Sequence, residues 1–201
     1  DKACKPTNVM GMTKAIQERI FLTANIDCLK TRFVAVRYGN VLASRGSVVP
    51  LFLDQIEAGG PITLTDKKMT RFLLTLDQAV DTVFEAMQFA EAGETYIPKI
   101  KAALIVDVVN ALVGKKKIEV KETGVRPGEK LHEVLVSQEE SLRTISRGDY
   151  FAIKSILPEV SKPVSPESFE FDELSSEHFL MTSKEVQTFL DKNLSGDLTG
   201  H

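Results

Sequence analysis

The sequence predicts an α/β fold, and three observations carry that reading. Short apolar strands alternate with amphipathic helices, the breaks between them fall at glycine and proline, and 201 residues that are 43% apolar can bury a core without covalent staples. Alternation of that kind builds a sheet with helices packed on its faces.

Residues 7–25 place Val9, Ile16, Ile20, Phe21 and Ala24 at near-helical spacing, with Thr7 or Asn8 able to cap the first turn. Residues 31–38 (TRFVAVRY) are β-branched and aromatic and end at Gly39-Asn40, which predicts a buried strand running into a loop. A helix followed by such a strand is the later half of a βαβ unit. Residues 48–58 read as a helix stopped by Gly59-Gly60-Pro61, and 62–64 as a short strand. A short apolar run covers 71–74. A helix over 77–90 starts at Asp77 and carries Val80, Val83, Phe84 and Met87 on one face before Gly93. Then come a strand over 95–98, a helix over 104–113 ending at Gly114, and a strand over 118–121. From about 155, Pro158, Pro163 and Pro166 predict an extended tail, with Glu170 to Glu177 as a solvated acidic cluster, before a final helix starting near Thr182 or Ser183.

Twenty-five basic and 28 acidic residues give a formal net charge of −3, and the Lys115 to Lys117 run is too short to make a phosphate-neutralising surface. Nucleic acid is therefore excluded as a partner. No uncharged stretch exceeds eight residues, so no membrane span is predicted. Cys4 and Cys28 lack the Cys/His spacing of a metal site and fit a reducing, cytoplasmic compartment. The opening Asp-Lys-Ala-Cys has no signal-peptide pattern. None of the twelve glycines stands two residues from another, so no Gly-x-Gly-x-x-Gly turn is present to hold a pyrophosphate. The sequence is expected to be the later part of a longer chain.

Met10 and Lys14, four apart, project from one helix face beside a polar loop containing Asp1 and Lys2. Taken alone, that set is equally a core methionine, a solvated lysine near Glu18 and a charged pair. Later segments add order: Arg37-Tyr38-Gly39-Asn40, then Arg45-Gly46-Ser47-Val48-Val49-Pro50-Leu51-Phe52, then Met69-Thr70-Arg71-Phe72, then Arg126-Pro127-Gly128-Glu129-Lys130. Together with Asp1-Lys2-Ala3 and the Pro6 to Lys14 run, they closely resemble the extended short-chain dehydrogenase/reductase superfamily. Within it they resemble the inverting UDP-N-acetylglucosamine 4,6-dehydratases of bacterial polysaccharide biosynthesis. The resemblance runs from Asp1 to about Leu190. It implies the C-terminal part of that fold: residues 1–41 end a Rossmann-like parallel sheet with its catalytic loop and helix, 42–154 form a smaller α/β lobe for a UDP-sugar, and 155–201 form the tail.

The resemblance also implies roles. Arg71 and Arg126 clamp a diphosphate with their forks of donors, a task that suits guanidinium geometry. Asn40 contacts the diphosphate or sugar, Val48, Val49, Pro50 and Phe52 wall the nucleotide, Thr70 stands with Arg71 on the substrate side, and Glu129 meets a ribose hydroxyl. The residues by themselves also allow Arg71 to pair with Asp66 or Asp77, Arg126 with Glu122, and Asn40 to cap a turn. Lys14 matches the lysine that bonds the nicotinamide ribose of NADP or NAD, with Tyr38 a further cofactor contact and the main cofactor site outside this chain. The tyrosine that normally accompanies that lysine is replaced here by Met10, as in the C5-inverting subgroup. Lys2 is implied as the base at sugar C5 and Asp1 as the acid at the departing C6 hydroxyl. A homo-oligomer is expected from the same resemblance. His132 reads as structural or surface. Two rivals remain at this point: a UDP-sugar 4-epimerase, and a non-catalytic module that binds nucleotide sugars.

Overall fold

The computed structural model describes residues 1–44, 46–161 and 169–194; Pro163 and Pro166 of the expected tail lie outside the described residues. In chain order the first elements are α1 (Val9–Asp27), β1 (Ala35–Val36), β2 (Asn40–Val41), α2 (Val48–Glu57), β3 (Ile62–Leu64), β4 (Thr70–Leu74), α3 (Leu76–Phe89) and β5 (Thr95–Pro98). They are followed by β6 (Ala102–Leu104), α4 (Ile105–Val113), β7 (Val120–Glu122), β8 (Val134–Val136), α5 (Gln138–Ser141), β9 (Thr144–Arg147), β10 (Tyr150–Ile153), β11 (Leu174–Ser175) and α6 (Ser183–Leu194). The chain divides into two compact units that interleave in sequence: residues 1–38, 77–99 and 134–175, and residues 39–76, 100–133 and 176–201. The three linear segments expected from the sequence follow a different division, because both units draw elements from the beginning, middle and end of the chain.

The first unit is built on a sheet of order β1-β5-β10-β9, in which β1 runs parallel to β5 and β10 is antiparallel to both its neighbours. Its core joins Ala86 and Ala90 of the α3 segment to Tyr96, Ile145 and Ala152. Strand β1 is shorter than the 31–38 run and only half-buried at the sheet edge. Main-chain bonds to the neighbouring strand continue on both sides of it, from Gly93 N–H to the Phe33 carbonyl and from Arg37 N–H to the Tyr96 carbonyl, both at 2.9 Å, and the Asn25 amide closes the outer side of Phe33 by donating to its carbonyl at 2.8 Å and accepting from its N–H at 3.0 Å. The apolar stripe of α3 faces outward, with Phe84 62% and Met87 60% exposed, while Ala79, Thr82 and Ala86 are buried. Of the acidic cluster Glu170, Asp172 and Glu177 are exposed as expected, but the segment that carries them is not a free tail. Leu174 and Ser175 pair with β8 as a buried strand, Glu173 bonds Lys5, and Ser176 is buried in the second unit.

In the second unit β4 lies between β2, parallel, and β6, antiparallel, and all five of its residues are buried. Strands β3 and β7 form a separate parallel pair. Helix α2 bridges two apolar clusters: Val49 packs with Leu73, Val108 and Leu190, and Phe52 and Ile56 pack with Leu64 and Val109. The final helix starts at Ser183 as expected and buries Val186, Leu190 and Leu194. Gly39 makes the β2–β4 approach possible, since a Cβ there would fall 2.4 Å from both Phe72 Cβ and the Phe72 carbonyl oxygen.

Candidate functional site

A cavity of about 340 Å³ opens in the second unit where β2, the start of α2, β4 and the 123–129 loop converge. Its wall contains Asn40, Ser47, Val48, Phe52, Arg71, Arg126 and Glu129, with Leu51, Thr63, Thr65, Met69 and Thr123 alongside. Its volume is within the range of small-molecule sites.

Arg71 is the buried cation of this wall. Its Nη1 donates to the carbonyls of Thr70 (2.7 Å) and Leu131 (3.1 Å), and its Nη2 donates to the Lys130 carbonyl (2.8 Å). The nearest carboxylate oxygen, Glu133 Oε1, stands 3.8 Å from Nε. Burial pushes the guanidinium below its ordinary value, with Glu133 and Glu129 acting in the opposite sense. A buried positive charge held by carbonyl dipoles and one distant carboxylate favours an incoming anion. Arg71 pairs with neither Asp66 nor Asp77. Arg126 is exposed at the rim, and its guanidinium has no carboxylate partner among the described residues, while its backbone N–H donates to Glu129 Oε2 at 3.4 Å.

Two buried oxygens on the cavity wall, Asn40 Oδ1 and Ser47 Oγ, have no hydrogen-bond partner among the described residues. For Ser47 the reason lies in the sequence. It is the N-cap of α2, but the third helical residue is Pro50, which lacks the N–H that a capping serine usually bonds. Sequence reasoning passed over Ser47, though a serine three residues before a proline at a helix start was the available signal.

The other expected substrate residues are placed differently. Val49 is 2% exposed and packs in the core, Pro50 is outside the cavity wall, and Thr70 is 1% exposed with its hydroxyl engaged by His132 and Ser176. The expected catalytic set lies in the first unit. Lys2 Nζ is 3.4 Å from Asp1 Oδ1, with the Asp1 side chain nearly covered and that of Lys2 60% exposed. The Asp1 nitrogen donates to the Tyr38 carbonyl at 3.1 Å. Asn8 caps α1 by accepting from Gly11 N–H at 2.9 Å, and Gly11 lets the loop lie against the helix, because a Cβ there would sit 2.8 Å from the Lys2 carbonyl oxygen. Met10 and Lys14 are both exposed on α1, and Lys14 Nζ donates to Gln17 Oε1 at 3.2 Å. The helix is held by Arg37, which donates to Glu18 at 2.6 and 2.8 Å and to Glu140 at 2.7 and 2.9 Å. No described helix is long and apolar enough to cross a membrane.

Known proteins share this chain's features. It is 40% identical over 165 residues to a UDP-N-acetylglucosamine 4,6-dehydratase (inverting) of Campylobacter jejuni, which spans 81% of the chain and 49% of the relative. It is 41% identical over 157 residues to a UDP-glucose 4-epimerase of Rickettsia bellii, over 76% of the chain and 46% of the relative. The chain thus spans about half the length of these curated relatives. Among solved structures it is similar to Pen from Bacillus thuringiensis, with a TM-score of 0.85 and 33% identity over 96% of the chain and 61% of that structure. Residues 1–155 match the family model described as polysaccharide biosynthesis protein, and the chain belongs to that family, with the α/β fold of the extended short-chain dehydrogenases/reductases.

Proposed function

We propose that the chain is the substrate-binding and catalytic-loop portion of a cytoplasmic enzyme that dehydrates UDP-N-acetylglucosamine to a UDP-4-keto-6-deoxy-hexosamine with inversion at C5. The observation that carries this reading is the cavity. It gathers Asn40, Arg71, Arg126 and Glu129 with the Val48 and Phe52 wall, and its buried cation and two orphaned oxygens suit a ligand rich in phosphate and hydroxyl groups.

A nicotinamide dinucleotide, NADP in this reading, supplies the hydride acceptor and donor when bound. Lys14 fits a part in holding it, since its exposed ammonium has one partner, Gln17, and can donate further bonds. Removal of hydride from C4, with the C4 hydroxyl proton passing to solvent, leaves a ketone that acidifies the C5 hydrogen. Lys2, as the free amine, takes that proton while the C6–oxygen bond breaks, and Asp1, as the acid, gives its proton to the departing hydroxyl, so that water leaves. The 3.4 Å separation of the two side chains supports their division of this work. After hydride is returned to C6, a solvent proton reaches C5 from the opposite face and gives the inverted product, while Lys2 releases the abstracted proton to solvent and Asp1 regains one. A 4-epimerase requires no acid at C6, so Asp1 favours the dehydratase, and Met10 in place of the usual tyrosine agrees with the resemblance to the C5-inverting subgroup.

The test is incubation of the protein at its full natural length with UDP-N-acetylglucosamine and NADP⁺ in heavy water. Deuterium at C5 with loss of the C6 oxygen is the expected product. Inversion at C4 alone would make it an epimerase, and binding without turnover a non-catalytic module.

A further inference from the structure

We propose that His132 is a positioning residue for Arg71, acting through the Thr70 hydroxyl to set the affinity of the cavity for a nucleotide diphosphate. The inference rests on the diphosphate reading of Arg71.

The two residues belong to one closed set of bonds. Thr70 Oγ1 is 2.8 Å from His132 Nδ1 and 2.6 Å from Ser176 Oγ, and Ser176 Oγ accepts from the Glu133 N–H at 2.9 Å. Thr70 N–H donates to the Leu131 carbonyl at 3.1 Å. The Arg71 fork in turn donates to the Leu131 and Lys130 carbonyls, the two residues that precede His132. Residues 129–133 form no regular element, so backbone ladders do not fix those carbonyls. The His132–Thr70 bond ties the irregular segment to β4 one residue before Arg71. Without it the segment keeps its main-chain bonds at Leu131 and Glu133 but loses the side-chain tie between them, so the Lys130 and Leu131 carbonyls that aim Arg71 are held less firmly.

The bonds require a polar atom at each of the three positions. The Thr70 hydroxyl, with one proton, stands between His132 Nδ1 and Ser176 Oγ and bonds both, donating to one and accepting from the other. His132 Nε2 faces Glu177, whose Oε2 is 3.7 Å away. What the site needs from position 132 is a hydrogen-bonding atom at the place of Nδ1. The asparagine amide offers one whichever way the Thr70 hydroxyl points, and leucine offers nothing.

The experiment is calorimetric titration of the full-length natural protein with UDP, alongside thermal melting and steady-state kinetics. His132→Leu is expected to weaken UDP binding about tenfold and to raise KM for the nucleotide sugar with kcat within about twofold, because the catalytic residues lie in the other unit. His132→Asn should stay within about twofold of wild type, and Thr70→Val, which removes the same bond together with the bond to Ser176, should weaken UDP binding at least as much as the leucine variant, with any fall in melting temperature coming from the unpaired Ser176 hydroxyl. Wild-type affinity in His132→Leu and Thr70→Val, or equal losses in the leucine and asparagine variants, overturns the role of His132 alone. Undiminished UDP binding by Arg71→Gln overturns the diphosphate reading and this role with it.

Discussion

Arg37 and Glu140, 103 residues apart in sequence, meet through two buried charge-assisted hydrogen bonds of 2.7 and 2.9 Å. Burial opposes the charge on Glu140, but Arg37, with Ser137 N–H and Arg143, wins and holds the carboxyl at about 2 against an ordinary 4.5. A carboxylate whose value is depressed by folding stabilises the fold above its unfolded value and loses that contribution as protons return. Stability of the first unit is therefore expected to be full above pH 4.5 and to decline between pH 4.5 and 2, by on the order of 3 kcal/mol from this group. Urea midpoints measured across that range should fall in wild type and fall less steeply in Glu140→Gln. An equal slope in both would assign the acid lability elsewhere.

The sequence carried the helices well because periodicity and caps are local. Helix α2 begins at Val48 and is followed by the Gly59-Gly60-Pro61 stop, and α6 begins at Ser183, as read. The β9–β10 hairpin escaped notice although Gly148, at φ +56, and Asp149 form a two-residue turn between β-prone runs. The Arg37–Glu18–Glu140 network was out of reach, since its members lie on three separate elements with no common spacing. Arg71, Arg126, Asn40 and Glu129 were legible by resemblance and do share a cavity wall. Thr70 was not legible as a buried hydrogen-bonding residue, because a threonine beside an arginine carries no mark of which way its hydroxyl points.

Gly11 holds the Asp1–Lys2 loop against α1. An added methyl would stand 2.8 Å from the Lys2 carbonyl oxygen and 2.9 Å from Pro6 Cβ, so Gly11→Ala must move the loop or the helix start. Alanine otherwise favours the helix by about 1 kcal/mol, which offsets part of the strain in folding but not the displacement of Lys2. Turnover by the full-length protein is expected to fall at least about tenfold while UDP affinity, a property of the other unit, stays within about twofold. A turnover equal to wild type would remove Lys2 from the reaction.

The orphaned oxygens of Asn40 and Ser47 predict opposite effects on stability and binding. A buried polar atom without a partner costs about 1–3 kcal/mol, so removing it should leave the ligand-free protein as stable or more stable. Asn40→Ala and Ser47→Ala are expected to keep or raise the melting temperature while weakening UDP-N-acetylglucosamine binding by about fivefold or more each. Loss of stability together with unchanged affinity would show that these atoms serve the fold.

Lys14 separates cofactor-dependent chemistry from substrate binding. It is exposed on α1, bonded to Gln17 at 3.2 Å, and belongs to a different unit from the cavity that contains Arg71. Replacing its ammonium by the similar-sized thioether of methionine removes the donor and charge without opening a void, so neither the fold nor the cavity should change. Lys14→Met is expected to lower turnover about a hundredfold or more with UDP affinity and melting temperature near wild type. Raised KM for the dinucleotide with turnover preserved would assign Lys14 to cofactor affinity alone, and wild-type kinetics would show it to be a solvated helix lysine.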